Sequence, residues 1–368
     1  MTVSRDGKNT TRILRDPSPR SGITARGIPS NSVRIGITYN LKGDLPPELN
    51  LVEDAAEELD RPETVEALRE VLAGEGHEVF LLGGGLSIIQ KIRERRIEFV
   101  FNIAEGFQGR CREAHVPAVL ELLGVPYSGS DPLGLALTLD KILTKQVALS
   151  LGIPTPAFWV VEGATDLQKI PGRFPLFVKP AWEGSSKGIR DSSKVENAQA
   201  LKRELERLLE NYPEVPILVE EYITGSEVTV GVLGNHPPEV LGVMEMAFRD
   251  SEDKDFCYSL EVKRDWRERV EYFVPTRLGM TLEKTIGESA LRLFRELRLR
   301  DVARFDFRVN REEKFFFLEA NPLPGLHPES GDLVILAQKK GWNYRNLIQK
   351  ILQVAGERYP RLEMKSGT

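Results

Sequence analysis

Arg304-Phe305-Asp306-Phe307 and Phe317-Leu318-Glu319-Ala320-Asn321 decide how this chain is read. Between them Arg311-Glu312-Glu313-Lys314 is charged and turn-like, and both flanks alternate polar with aromatic or aliphatic residues, which predicts a β-hairpin. Folded symmetrically about Glu312 and Glu313, the hairpin sets Asp306 opposite Glu319 and Arg304 opposite Asn321. Carboxylates directly opposed across strands repel. Such a pair is kept when something cationic sits between them, and the all-oxygen set Asp306, Glu319 and Asn321 suits Mg²⁺ or Mn²⁺. Arg304, two residues from Asp306 on the same face, lies where a developing anion would be stabilised. The competing reading is a solvated strand face with Arg304–Glu319 salt bridges. Against it, Phe305, Phe307, Phe316 and Leu318 are expected to form a buried face, and the break Asn321-Pro322-Leu323-Pro324-Gly325 suits a functional loop at a strand end.

The 368 residues suggest two to three domains, and 41% hydrophobic with 29% charged content is ordinary for a globular protein with a sizeable core. A net charge of −5 argues against a nucleic-acid partner. No run of 18 or more apolar residues is present, so no membrane span is expected. Cys111 and Cys257 stand in no metal or redox spacing, which fits a cytoplasmic setting with both as small buried residues. Residues 1–32, rich in Ser, Arg, Thr, Gly and Pro and without the apolar core of a secretory signal, read as a disordered tail.

Val33–Tyr39 opens the folded region as a buried strand, followed by a helix over Pro62–Ala73. Strand Glu78–Leu82, a glycine break, a helix over Leu86–Arg95 and strand Ile97–Ile103 complete a βαβαβ alternation. That pattern implies a parallel sheet with helices on both faces. The loop Glu105–Gly109 then falls at the carboxyl end of a strand, where ligands bind in such folds. A second unit begins after Tyr127-Ser128-Gly129-Ser130 with one long helix, Leu133–Leu151, stopped by Gly152 and Pro154.

Trp182-Glu183-Gly184-Ser185-Ser186-Lys187-Gly188 follows an apolar strand ending in Lys179 and reads as a phosphate-covering loop, with Lys141 adding charge. It is not a Walker A motif, and a plain surface loop is the alternative. Ile217–Ile223 is an apolar strand ending in Glu220, Glu221 and Tyr222. Beside the loop and the hairpin it suits an adenine pocket, with Glu220 accepting from the base amino group and Glu227 holding ribose hydroxyls.

In chain order, Asp140-Lys141, Val178-Lys179-Pro180, Glu183-Gly184-Ser185-Ser186, Glu220–Ile223, Arg304-x-Asp306 and Glu319-Ala320-Asn321-x-x-Pro324-Gly325 resemble the ATP-grasp ligases, most closely the D-alanine–D-alanine ligase family. The resemblance runs from about Ile35 to Ile351. It implies an α/β fold class: an N-terminal Rossmann-like parallel-sheet domain followed by a two-lobed ATP-grasp domain. The expected partition is 33–129 for the substrate domain, 130–222 for the central lobe, 223–358 for the C-terminal lobe, and a tail over 359–368. Lys141, Lys179, Glu183 and Ser186 would contact ATP phosphates. Glu220, Glu221, Tyr222, Ile223 and Leu318 would frame the adenine, Glu227 the ribose, and Lys263 would approach the γ-phosphate from a closing loop. Asp306, Glu319 and Asn321 would bind the metal. Arg304 and the backbone at Gly325 would stabilise the tetrahedral intermediate, with Ser185 in a relay beside it, and Ser330 would help to hold the second substrate's carboxylate. His327, just after Pro324-Gly325-Leu326, is expected from its position to line the acceptor site, with no catalytic role.

Three departures bear on substrate recognition. The family's first loop is Gly-Gly-rich with a glutamate, whereas this chain has Tyr39-Asn40-Leu41-Lys42-Gly43-Asp44. Glu105-Gly106 stands where the family usually has His-Gly. Arg264 replaces the tyrosine after the lid lysine, and as a fork donor it could recruit a substrate carboxylate. The resemblance implies an ATP-dependent carboxylate–amine ligase taking small amino acids, in cell-wall biogenesis or, with other substrates, in another amide-forming pathway. A nucleotide-binding module without catalysis is the third reading. Ligases of this architecture are often homodimers, and the sequence leaves that state open.

Overall fold

The computed structural model describes residues 32–45, 52–249, 259–360 and 362. The expected tails, 1–32 and 359–368, and Cys257 lie almost wholly outside them, while Cys111 is exposed rather than buried.

The first segment folds as expected. Strands β1 (Arg34–Thr38), β2 (Glu78–Leu81) and β3 (Phe99–Asn102) form a parallel sheet in the order β2-β1-β3. Helix α1 (Pro62–Gly74) starts on Pro62, whose missing N–H costs nothing in the first turn. It buries Val65, Leu68 and Leu72 against Ile35, Ile37, Phe99 and Phe101. Helices α2 (Ser87–Arg95) and α3 (His115–Leu123) cover the opposite face, around Ile88, Ile92, Val116 and Leu120.

The single helix expected over Leu133–Leu151 is two helices, α4 (Pro132–Leu139) and α5 (Lys141–Ser150). Asp140 takes extended backbone (φ −83°, ψ 99°), and its Oδ1 accepts from the amides of Ile142 (3.0 Å) and Leu143 (3.1 Å). An aspartate satisfying those orphan amides makes a new helix start more favourable than continuation. The break aims Lys141, in the first turn of α5, at the site.

Strands β4 (Phe158–Val161), β5 (Leu176–Pro180), β6 (Lys194–Val195) and β7 (Ile217–Glu221) form an antiparallel sheet in the order β4-β7-β5-β6. Alternation divides its faces. Leu176, Val178, Ile217 and Val219 pack on helix α6 (Ala198–Asn211), while Phe177, Lys179 and Glu220 line a cleft on the other side.

The third sheet, order β10-β9-β8-β11-β12, contains β8 (Gly225–Leu233), β9 (Glu239–Phe248), β10 (Val270–Phe273), β11 (Val302–Asn310) and β12 (Phe315–Asn321). Helices α7 (Leu260–Arg264) and α8 (Trp266–Arg269) precede β10, and α9 (Met280–Glu296) lies beneath the sheet. Val228, Val230, Phe305 and Phe307 bury against Ile286, Ala290, Leu293 and Phe294 of α9. Their neighbours Glu227, Arg304, Asp306 and Arg308 face the cleft.

The hairpin pairs Asp306 with Glu319 and Arg304 with Asn321, as the sequence predicts. Nearer the turn the register differs: Phe307 faces Phe317, and Val309 faces Phe315. The shift beside Asp306 and Phe307 is a β-bulge that leaves one extra residue in β12. Consequently Phe317 and Ala320, not Phe316 and Leu318, face the core, and Leu318 turns toward the cleft. The turn is set by Asn310, whose Oδ1 accepts from the amides of Glu312 (3.1 Å) and Lys314 (2.8 Å), with Glu313 left-handed at φ 58°.

Helices α10 (Asp332–Lys339) and α11 (Tyr344–Glu357) close the chain. Each expected segment carries one sheet, but α11 packs its Leu347, Ile348 and Ile351 on the first sheet's core rather than within the last segment. No helix among the described residues is long and apolar enough to cross a membrane.

Candidate active site

Two clefts meet at one set of side chains. Lys141, Gly184, Ser185, Arg304 and Glu319 line both. The larger lies between the second and third sheets and gathers Lys179, Glu220–Ile223, Glu227, Lys263, Leu318 and Asp306, together with Glu183 and Ser186 of the loop. The smaller reaches to Glu105 on one side and to Asn321 and Gly325 on the other.

At the junction Arg304 is clamped. Its Nη2 lies 2.9 Å from Asp306 Oδ2 and its Nη1 2.9 Å from Asp332 Oδ2, so its partners are these aspartates and not Glu319. Burial works against its charge, but the two carboxylates outweigh burial and hold its pKa above the usual arginine value. Asn321 Nδ2 donates to both Asp306 Oδ2 (3.1 Å) and Glu319 Oε1 (3.3 Å), and Thr229 Oγ1 donates to Asp306 Oδ1 (2.8 Å). Burial, with Glu319 nearby, lifts the Asp306 carboxyl to about 6 in spite of Arg304. Burial also pushes Glu319 upward, but Lys141, Lys179 and Arg304 prevail and hold it well below the usual carboxylate range. Opposed carboxylates are thus split into one easily and one reluctantly ionised group.

Beneath the larger cleft lies a charge triad that sequence reading missed. Glu220, 2% exposed, has one oxygen 2.6 Å from Lys145 Nζ and the other 2.7 Å from Lys179 Nζ. Lys145 is fully buried and also donates to Thr155 Oγ1 at 2.8 Å. Glu220, expected to accept from a base amino group, therefore spends both oxygens on lysines in this state. Its structural role is to hold Lys179 at the cleft wall. Glu227 is lifted to about 7 by burial, against Arg308, and burial lowers Lys263.

The loop over residues 182–188 is pinned by an acidic strap, residues 52–60. Glu58 accepts from the Gly184 amide and from Arg112 Nη2 (2.6 Å), with Lys187 Nζ at 3.3 Å. Asp54 accepts from the Gly188 amide (2.8 Å) and the Tyr212 hydroxyl (2.7 Å). Within the loop Ser185 (φ 49°) and Ser186 (φ 62°) are left-handed, a strained backbone that persists at sites whose surroundings fix it. Lys141 Nζ donates to the Glu183 carbonyl and lies 3.2 Å from Glu319.

Three expected substrate contacts are not brought to the clefts. Arg264 is exposed and gives its fork to Glu57 (2.8 Å) and Glu53 (2.9 Å) of the strap, so its appetite for carboxylate is met within the chain. His327 Nδ1 accepts from the amides of Glu329 (3.2 Å) and Ser330 (3.3 Å), which makes it a turn-forming residue. Neither it nor Ser330 lines either cleft. Glu105 does line the smaller one, joined by Glu58, Asp60 and Glu113.

With this geometry established, comparison with known proteins decides the family. The family model described as the D-ala D-ala ligase C-terminus matches residues 148–353. The chain belongs to the D-alanine–D-alanine ligase family. It is 36% identical over 288 residues to a D-alanine–D-alanine ligase of Aquifex aeolicus, covering 78% of this chain and 91% of that protein. It is also 36% identical over 292 residues to an uncharacterized Sinorhizobium fredii protein, y4sG, covering 77% and 84%. In fold it is similar to the crystal structure of the Bacillus anthracis D-alanine–D-alanine ligase complexed with ATP, with a TM-score of 0.67, 21% identity, and coverage of 90% of this chain and 99% of that one. The ATP-grasp architecture and the ligase class expected from the sequence both hold.

Proposed function

We propose that this chain is an ATP-dependent carboxylate–amine ligase that forms an amide bond through an acyl phosphate, with ATP in the larger cleft and amino acids in the smaller. The observation that carries the reading is the junction itself: Arg304, Glu319, Lys141 and Ser185 border both clefts, so a phosphoryl group on one side meets a carboxylate on the other. The carboxylate oxygen bonds to the γ-phosphorus as ADP leaves. The amine nitrogen then bonds to the acyl carbon, phosphate departs, and the amine proton is released. Lys179 and Lys141 neutralise phosphate charge, and Arg304 faces the oxyanion of the tetrahedral intermediate.

The acidic pair fits Mg²⁺ or Mn²⁺. Asp306 and Glu319 are cross-strand neighbours already drawn together by the Asn321 amide, which presents its oxygen on a half-turn. All three donors are hard oxygens. A cation held there supplies Lewis-acid neutralisation of phosphate oxygens. D-alanine, named for the Aquifex relative, is the first candidate substrate. The first loop and Glu105 favour an altered amino-acid site, and an ATP-consuming reaction accords with the cytoplasm.

Arg304→Ala tests the reading. Removal of one such donor typically costs about 10²–10³ in turnover. ADP release with an amino-acid panel, products read by mass spectrometry, should fall by that factor while ATP binding survives. Weakened ATP binding with normal saturated turnover contradicts the assigned role.

A further inference from the structure

The smaller cleft gathers carboxyl groups that no cation of the chain pairs with directly. Asp60, Glu105 and Glu113 reach it from three separate segments: the end of the strap, the loop after β3, and the turn before α3. Glu113 is 8% exposed, and Asp60 Oδ2 is buried without a hydrogen-bond partner. Among the described residues none of the three carboxyls has an ion-pair or hydrogen-bond partner. The neighbouring cations are spent elsewhere: Arg112 and Lys187 on Glu58 and Glu183, Lys141 on Glu319, and Arg304 on Asp306 and Asp332. A buried, unpaired carboxyl is costly, and with Glu113 buried and Asp60 and Glu105 half-buried this cleft suits a ligand that brings positive charge.

Among the described residues no three His, Cys, Asp or Glu side chains converge closely enough to hold a metal ion. An organic cation with separated charges suits the cleft, because each ammonium carries three donors that a wall of carboxyls can share. The α-ammonium of an ordinary amino acid is a single charge against three acids.

We propose that the smaller cleft selects an amino acid carrying a second ammonium on its side chain, a diamino acid, with Asp60, Glu105 and Glu113 as the determinants. This inference rests on the ligase reading above and names the substrate class of that site. Before binding, burial lifts Asp60 and Glu113 to about 8 each and raises Glu105 well above the usual range, Glu113 and Glu58 adding to that push. Without a cation beside them the three acids favour their protonated form, and they yield those protons when ammonium groups enter.

The test compares isosteres with the full chain, ATP and Mg²⁺, following ADP release. Each enantiomer of 2,4-diaminobutyrate is set against norvaline, and of ornithine against norleucine, so only an ammonium replaces a methyl. At least a tenfold preference in kcat/KM for a diamino acid over its isostere is expected, falling toward one in Glu113→Gln and Glu105→Gln. A wild-type enzyme that uses the neutral isostere equally well or better overturns the inference, as does a preference that survives in both variants. Stimulation by neutral amino acids alone leaves the ligase reading standing without this one. ATP binding that no amino acid converts to ADP release overturns the ligase reading and this inference with it.

Discussion

Glu220→Gln probes the part of the site that sequence reading missed. The wild-type carboxylate sits 2.6 Å from Lys145 Nζ and 2.7 Å from Lys179 Nζ, with Lys145 fully buried and Lys179 4% exposed. Glutamine keeps the shape but offers its carbonyl oxygen to only one of the two buried ammonium groups and turns its NH2 donors on the other, with no charge to balance either. Breaking a buried ion pair by removing one partner costs roughly 3–5 kcal/mol. A Coulomb attraction between charges this close is itself several kcal/mol even at the effective dielectric of a partly polar interior. The pH dependence carries the sign. Burial already pushes Lys145 down to about 8, against the pull of Glu220. At pH 7 both lysines are charged and the variant bears the full cost. At pH 9 Lys145 is largely neutral in the wild type, so only the Lys179 pair is lost and the deficit shrinks. Urea unfolding of both proteins at pH 7 and 9, with ATP affinity by calorimetry, reads both effects. A deficit of about 3 kcal/mol or more at pH 7, smaller at pH 9, with weakened ATP binding, is expected. A deficit below about 1 kcal/mol, or one that grows with pH, refutes the reasoning.

Two further predictions concern the strap and the smaller cleft. Glu58→Gln removes the charge that draws Arg112, Lys187 and the Gly184 amide together. Amide hydrogen exchange over residues 183–188 should quicken by tenfold or more, with little change at α9, and unchanged exchange in the loop would show that the strap does not restrain it. Asp60 has a folded pKa raised from 3.8 to about 8 by burial. Its contribution to stability is therefore fully present below about pH 4 and is lost as pH rises toward 8. Asp60→Asn should match wild type near pH 4 and exceed it at pH 8 by an amount on the order of 1–4 kcal/mol, read from unfolding across the pH series. A difference independent of pH contradicts the assignment.

What the sequence reveals of the site is what local alternation encodes. The Asp306–Glu319 and Arg304–Asn321 pairs follow from counting outward from a charged turn. The bulge does not, because Phe315, Phe316, Phe317 and Leu318 are all apolar and a one-residue slip among them leaves no mark in the pattern. The break at Asp140 had a signal, an N-cap residue inside an apolar run, but the helical periodicity on both sides masks it. The strap is illegible for another reason. Glu58 meets Gly184 across 126 residues, and a cluster of acids without periodicity reads as solvated surface until the fold places it. Lys145 looks like an ordinary polar position of a helix, and only its burial beside Glu220 reveals its role. Arg264 shows the converse: the residue type promised a carboxylate partner, and the fold supplied Glu53 and Glu57 from within.

The central claim is that a substrate carboxylate oxygen becomes bonded to the terminal phosphorus of ATP at the junction of the clefts. An amino acid labelled with ¹⁸O in its carboxylate, turned over with ATP and Mg²⁺, tests it most directly by mass spectrometry of the released phosphate. The account predicts ADP as the nucleotide product and one ¹⁸O in each phosphate formed. Phosphate without label, or release of AMP and pyrophosphate, would contradict it.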